Sequence, residues 1–127
     1  MDLLLDTRVF LWWDKQDPVL HGQVPASVPD PANRVFVSAA SVWEIAIKRR
    51  RGGLAFLGSP VAAVAVNGFN ELPILGADAE GAEDLSWGHN DPFDRLLVAR
   101  ARRLTTTLVT AYKTIRAFGG VARLWAG

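Results

Sequence analysis

Leu3-Leu4-Leu5-Asp6-Thr7, a wholly apolar run ended by an acid and a hydroxyl residue, decides how this chain folds. Three consecutive leucines show no alternation of apolar and polar positions, so both faces of the segment are buried, as in a parallel sheet. Asp6 then stands at the carboxyl end of the strand, which is where open α/β sheets gather their ligands. Packing explains an acid there poorly. Its structural alternative is to cap the helix that follows or to make a turn.

Outward from this strand the pattern alternates. Val9 to Trp13 reads as a helix with Phe10 and Trp13 on one face, and Asp17 to Pro31, with four prolines, as a loop or broken helix. Val35 to Val37 is a second strand, followed by a helix from a Ser38 cap to about Arg50 that Gly52-Gly53 stops. Ser59-Pro60 opens a small-residue helix to about Asn67. Leu72 to Leu75 reads as a third strand and Asp78 to Leu85 as a helix. Asp91 to Arg103 is the best-marked helix, with Phe93, Leu96, Leu97 and Ala101 on one face. Leu104 to Thr110 reads as a strand, Ala111 to Phe118 as a helix and Val121 to Trp125 as a last strand. This alternation in 127 residues, 50% of them hydrophobic, predicts one α/β domain over residues 1–127 around a mostly parallel sheet.

There are no cysteines, which excludes disulfides, thiolate zinc sites and a cysteine nucleophile. With His21 and His89 the only imidazoles, oxygen ligands and a hard metal ion are favoured. A net charge of +1 argues against coating nucleic acid by bulk electrostatics, yet Lys48-Arg49-Arg50-Arg51 and Arg100 with Arg102-Arg103 form two basic clusters. They are candidate phosphate contacts, or cations complementing helix C-termini. No apolar run approaches the ~20 residues of a membrane span, and no secretory leader opens the chain, so a soluble cytoplasmic protein is expected.

Three further acids join Asp6 as candidates. Glu44 lies among Val42, Trp43 and Ile45 and stands four residues before Lys48, the spacing of a helix-surface ion pair. Asp91 and Asp94 flank Pro92 as a good helix start requires, so capping and a site role are both open. Thr7 is either a cap or a partner for a metal-bound water, and His89 a base, a ligand or a surface hydrogen-bonding residue. Carboxylates gathered at one mouth raise each other's pKa unless a cation lies between them. Mg²⁺ suits such a gap, because it takes oxygen ligands and is completed by substrate phosphate; the chemistry is phosphodiester hydrolysis. An aspartyl-phosphate enzyme also places its nucleophile after a first strand, but its phosphohydrolase version wants a second Asp where Arg8 stands.

With Leu3 to Thr7 and Trp12-Trp13, the segments Ser38 to Lys48, Asp91-Pro92-Phe93-Asp94-Arg95-Leu96-Leu97-Val98-Ala99 and Leu108-Val109-Thr110 occur in the order seen in PIN-domain ribonucleases of the VapC type, and nearly the whole chain resembles that family. The resemblance implies a PIN-like three-layer fold and the toxin of a type II toxin-antitoxin system, a Mg²⁺- or Mn²⁺-dependent endoribonuclease. It also implies a homodimer and a VapB-type antitoxin whose tail covers the active site. Asp6, Glu44 and Asp94 match the family's acids. Asp6 and Asp94 would be the principal metal ligands, Glu44 would bind through water or help orient it, and Asp91 would be a companion. Thr7, Thr110, Lys48, Arg51 and Arg100 would serve substrate or rim. The pattern is broken at Tyr112, where the family commonly has an aspartate, and at Arg8 and Asn90, where it often has histidine. A phenol is a poor Mg²⁺ ligand. A one-metal, weakly active site follows, or a catalytically impaired module that binds antitoxin or RNA without cleaving.

Overall fold

The computed structural model describes residues 1–126. Five strands, β1 (Asp2–Leu5), β2 (Arg34–Ser38), β3 (Asn70–Leu72), β4 (Thr107–Thr110) and β5 (Arg123–Trp125), form one sheet in the order β3-β2-β1-β4-β5. Every pairing is parallel, with Leu4 opposite both Phe36 and Leu108 in the middle of the sheet. Parallel pairing puts all the carboxyl ends on one side.

The leucine run explains the layers. Leu3 and Leu5 enter one core with Val35, Val37 and Val109, while Leu4 enters a second core with Leu97, Val98, Leu108 and Ile115. Helices cover both faces. On the first lie α1 (Thr7–Asp14), the single turn α2 (Val24–Ser27), α3 (Ala39–Arg50) and α4 (Pro60–Val66), and on the second α5 (Gly76–Asp84), α6 (Pro92–Arg103) and α7 (Lys113–Ala117). None of the described helices is long and apolar enough to cross a membrane.

Several boundaries differ from those read in the sequence, each for a local reason. The strand expected at Leu72 to Leu75 ends at Leu72, because Pro73 has no N–H for the ladder and Leu75 N donates to Asp78 as α5 begins. The strand expected from Leu104 starts at Thr107. Thr105 adopts φ +51°, and Thr106 N donates to Ala101 O, closing α6 with a left-handed turn. The helix expected from Ala111 starts at Lys113, since Ala111 N is bonded to the Asp6 carboxylate. β5 is shorter than expected and α1 begins earlier, at Thr7.

Candidate functional site

β1 is followed across the sheet by β2 on one side and by β4 on the other, so the chain's connections diverge at the carboxyl ends of β1 and β4. That divergence leaves a crevice. α1, α3 and α6 all begin on this side, and the residues at their N-termini line it.

Asp6 bridges the crevice. Its Oδ1 accepts from Val9 N at 2.8 Å, capping α1, and its Oδ2 accepts from Ala111 N at 3.0 Å, beyond the end of β4. The capping role and a place in the site therefore coincide. Asp6 is fully buried, and burial pushes its carboxyl up to about 6, against the pull of hydrogen bonds from Thr110, Val9 and Ala111, with the Asp94 charge adding to the rise.

Asp94 arrives from the second layer. The Asp91 side chain caps α6 by accepting from Phe93 N and Asp94 N at 2.9 and 3.1 Å, which sets Asp94 in the first turn. Asp94 is buried, and its Oδ2 lies 2.6 Å from His89 Nε2. Burial raises its carboxyl to about 6; His89 opposes this, while Asp91 and Glu44 reinforce it. His89 thus belongs to the site through a hydrogen bond.

Glu44 comes from one turn inside α3 and is buried despite its helix position. Its Oε1 accepts from Thr7 Oγ1 at 2.6 Å and its Oε2 pairs with Lys48 Nζ at 2.8 Å, so the ion pair expected from the spacing is formed by a carboxylate that is itself buried. Thr7 Oγ1 also lies 2.9 Å from Ser41 Oγ. A hydroxyl has one proton, and because a carboxylate can only accept, Thr7 gives its proton to Glu44 and Ser41 donates to Thr7. Nothing in the sequence singled out Ser41. Beside these acids, Trp43 of α3 meets Phe93 of α6 edge to face at 5.5 Å, joining the two layers.

Tyr112 completes the mouth. Burial, and then the charges of Asp6, Glu44 and Asp94, push its phenol well above its ordinary range, so it faces the acids as a neutral hydroxyl. Thr110 lies beneath it, fully buried rather than at a rim, and its Oγ1 accepts from Tyr112 N at 3.0 Å. Arg8 is seated over the Tyr112 ring, 4.5 Å from its centroid.

The basic clusters are divided differently. Lys48 reaches Glu44, but Arg51, which follows the last residue of α3, lies about 10 Å from Glu44 along the axis, away from the mouth. Arg100 is two turns from Asp94, and its charge acts on Asp2, at the start of β1, and on Asp78. Arg103 binds Asp78 at 2.7 Å and ties α6 to α5. Arg51 and Arg100 are therefore not brought to the acids.

As a donor set, Asp6, Glu44 and Asp94 suit a hard divalent ion, offering only oxygen and carrying mutually repelling charges in a buried setting. Both oxygens of Asp6 and of Glu44, and Oδ2 of Asp94, have internal partners. Among the described residues no three carboxylate or imidazole groups stand ready to hold a metal.

The sequence profile of the PIN domain family matches residues 3–120. No curated protein matches by sequence. Among solved structures, a chain of VapBC2 from Rickettsia felis bound to a promoter DNA fragment superposes with TM-score 0.69 at 11% identity, covering 100% of both chains. A chain of DNA-bound VapBC from Salmonella typhimurium gives 0.67 at 14% identity, covering 98% of each. A chain of FitAcB from Neisseria gonorrhoeae gives 0.59 at 20% identity, covering 96% of each. At these identities the likeness is one of fold.

Proposed function

This chain belongs to the PIN domain family, and from that premise we propose that it is the toxin of a type II toxin-antitoxin pair, a Mg²⁺- or Mn²⁺-dependent endoribonuclease. The observation that carries the reading is the pair of buried carboxylates, Asp6 and Asp94, brought from two layers of the fold to one crevice and each pushed to about 6. Burial of the charged form costs stability at both positions, and strongly perturbed carboxylates cluster at functional sites.

Asp6 and Asp94 would hold the ion, and Glu44 would bind it or orient a water beside it, with Thr7 and Ser41 fixing the Glu44 carboxylate. The ion, when bound, supplies an activated water and neutralises charge on the phosphate oxygens. His89 holds Asp94 in orientation, as a partner behind a metal ligand commonly does. RNA is the proposed substrate, a VapB-type antitoxin the proposed partner and a homodimer the proposed assembly. The fold shared with chains of VapBC complexes supports the antitoxin.

Tyr112 favours a second reading, a catalytically impaired module that binds antitoxin or RNA, because a neutral phenol gives the ion no charge. Antitoxin-free protein should be assayed on a mixed RNA pool with Mg²⁺, with Mn²⁺ and with EDTA, beside Asp94→Asn, Asp91→Asn and Tyr112→Asp. Metal-dependent cutting that is lost in Asp94→Asn and retained in Asp91→Asn is the expected result. RNA binding without cutting in either metal, by a folded wild type, would establish the impaired module. Equal cutting by wild type and Tyr112→Asp would remove Tyr112 as a limit on the site.

A further inference from the structure

Three carboxylates at one mouth repel an RNA phosphate, so RNA that reaches them needs a neighbouring cation. Most of the candidates are already engaged. Lys48 is paired with Glu44, Arg49 donates to Phe56 O and Gly58 O, and Arg103 is bonded to Asp78. Arg95 donates to five backbone carbonyls. Arg51 and Arg100 lie away from the mouth.

Arg8 differs in each respect. It is exposed and, among the described residues, has no carboxylate partner. Its guanidinium lies 4.5 Å from the centroid of Tyr112 and 5.7 Å from that of Trp12. It occupies the first turn of α1, where the helix dipole favours an acid, so helix stability does not account for it. Arg8 follows Asp6 by two residues, and Tyr112 follows Ala111, whose N–H is bonded to the Asp6 carboxylate, so the guanidinium on the Tyr112 ring lies beside the acids. An arginine seated on an aromatic ring keeps its N–H groups free, and its fork matches phosphate oxygens.

We propose that Arg8, seated on Tyr112 and Trp12, is a phosphate-binding residue that receives the RNA backbone beside the acidic crevice. The proposal rests on the nuclease reading above and adds a substrate contact to it. Tyr112 acquires a task that needs no negative charge: its ring holds the cation that draws the strand toward the acids. Only binding is assigned to Arg8, with no chemical step.

The test is fluorescence anisotropy of a labelled mixed-sequence RNA in EDTA, over salt from about 50 to 200 mM, with wild type, Arg8→Ala, Arg8→Lys, Tyr112→Ala and Tyr112→Phe. Arg8→Ala is expected to weaken binding about tenfold at the low end, the worth of one charge-assisted hydrogen bond. It should also make the salt slope shallower by about 0.7, one single-strand phosphate contact. Arg8→Lys should keep the slope and lose part of the affinity. Tyr112→Ala should behave like Arg8→Ala, while Tyr112→Phe, which retains the ring, should keep the slope. Melting curves verify that each variant is folded. An Arg8→Ala slope and affinity equal to wild type, in protein that still cuts RNA with Mg²⁺, overturns the proposal and leaves the nuclease standing. Wild type that neither binds nor cuts RNA removes both. Loss of affinity for a polyglutamate peptide, with RNA binding unaltered, would make Arg8 a protein-docking residue and overturn the proposal.

Discussion

At Asp94 the demands of folding and of the site are opposed. Its carboxyl is raised to about 6 from the ordinary 3.8, chiefly by burial, so the folded protein binds this proton more tightly than the unfolded chain does. The resulting destabilisation is absent below the ordinary carboxylate range and complete above about pH 6. In the absence of metal, stability should therefore fall as pH rises through that window. Asp94→Asn removes the charge and can still hydrogen-bond His89. The variant should melt above wild type at about pH 7.5, with the gap closing toward pH 4; a wild type that melts higher at neutral pH would contradict this. Asp6, Glu44, Asp91 and Asp94 were legible in the sequence because each interrupts an apolar pattern or opens a helix. What spacing could not separate was capping from a place at the sheet's mouth, and at Asp6 one carboxylate both caps α1 and reaches Ala111 beyond the end of β4. The departures at Arg8 and Tyr112 were also visible, but not their contact, which joins residues 104 positions apart in sequence.

The element that most depends on one side chain is the segment leading into α6. Arg95, in the first turns of α6, donates to the carbonyls of Ala82, Glu83, Leu85, Trp87 and His89. Its fork thereby shapes the chain from the end of α5 to His89, and that loop presents His89 to Asp94 at 2.6 Å. An ammonium has three donors and no planar fork. Arg95→Lys should therefore strand at least two carbonyls, lower stability by about 2 to 4 kcal/mol and speed amide exchange over residues 82–90. Exchange confined to wild-type rates there would show that the loop holds itself. Helix periodicity revealed α6, but a loop ordered by a single guanidinium has no pattern to read. Thr105 is a similar case: a left-handed turn without glycine gives no sequence signal, and the strand after it was placed three residues early.

Over the whole molecule, parallel topology separates the charges by function. Because every strand points the same way, α1, α3 and α6 present their N-termini at the acidic mouth and carry α3's and α6's basic last turns to the other end. The run of basic residues at 48–51 looks in sequence like one phosphate-binding patch. The helix divides it, with Lys48 turned to Glu44, Arg49 to the carbonyls of Phe56 and Gly58, and Arg50 and Arg51 exposed at the C-terminus. A cation there complements the helix dipole, typically worth about 0.3 to 1 kcal/mol at low salt. Replacing Arg50 and Arg51 together by alanine should thus lower the melting temperature slightly and, under the proposed nuclease function, leave RNA cleavage and the salt slope of RNA binding as in wild type. A slope shallower by about 1.4, two single-strand phosphates, would instead mean that RNA wraps from the mouth along α3 to its far end. The alanine pair distinguishes a strand held only at the crevice from one bound along the first helical layer, and the position of the acids at the strands' carboxyl ends favours the former.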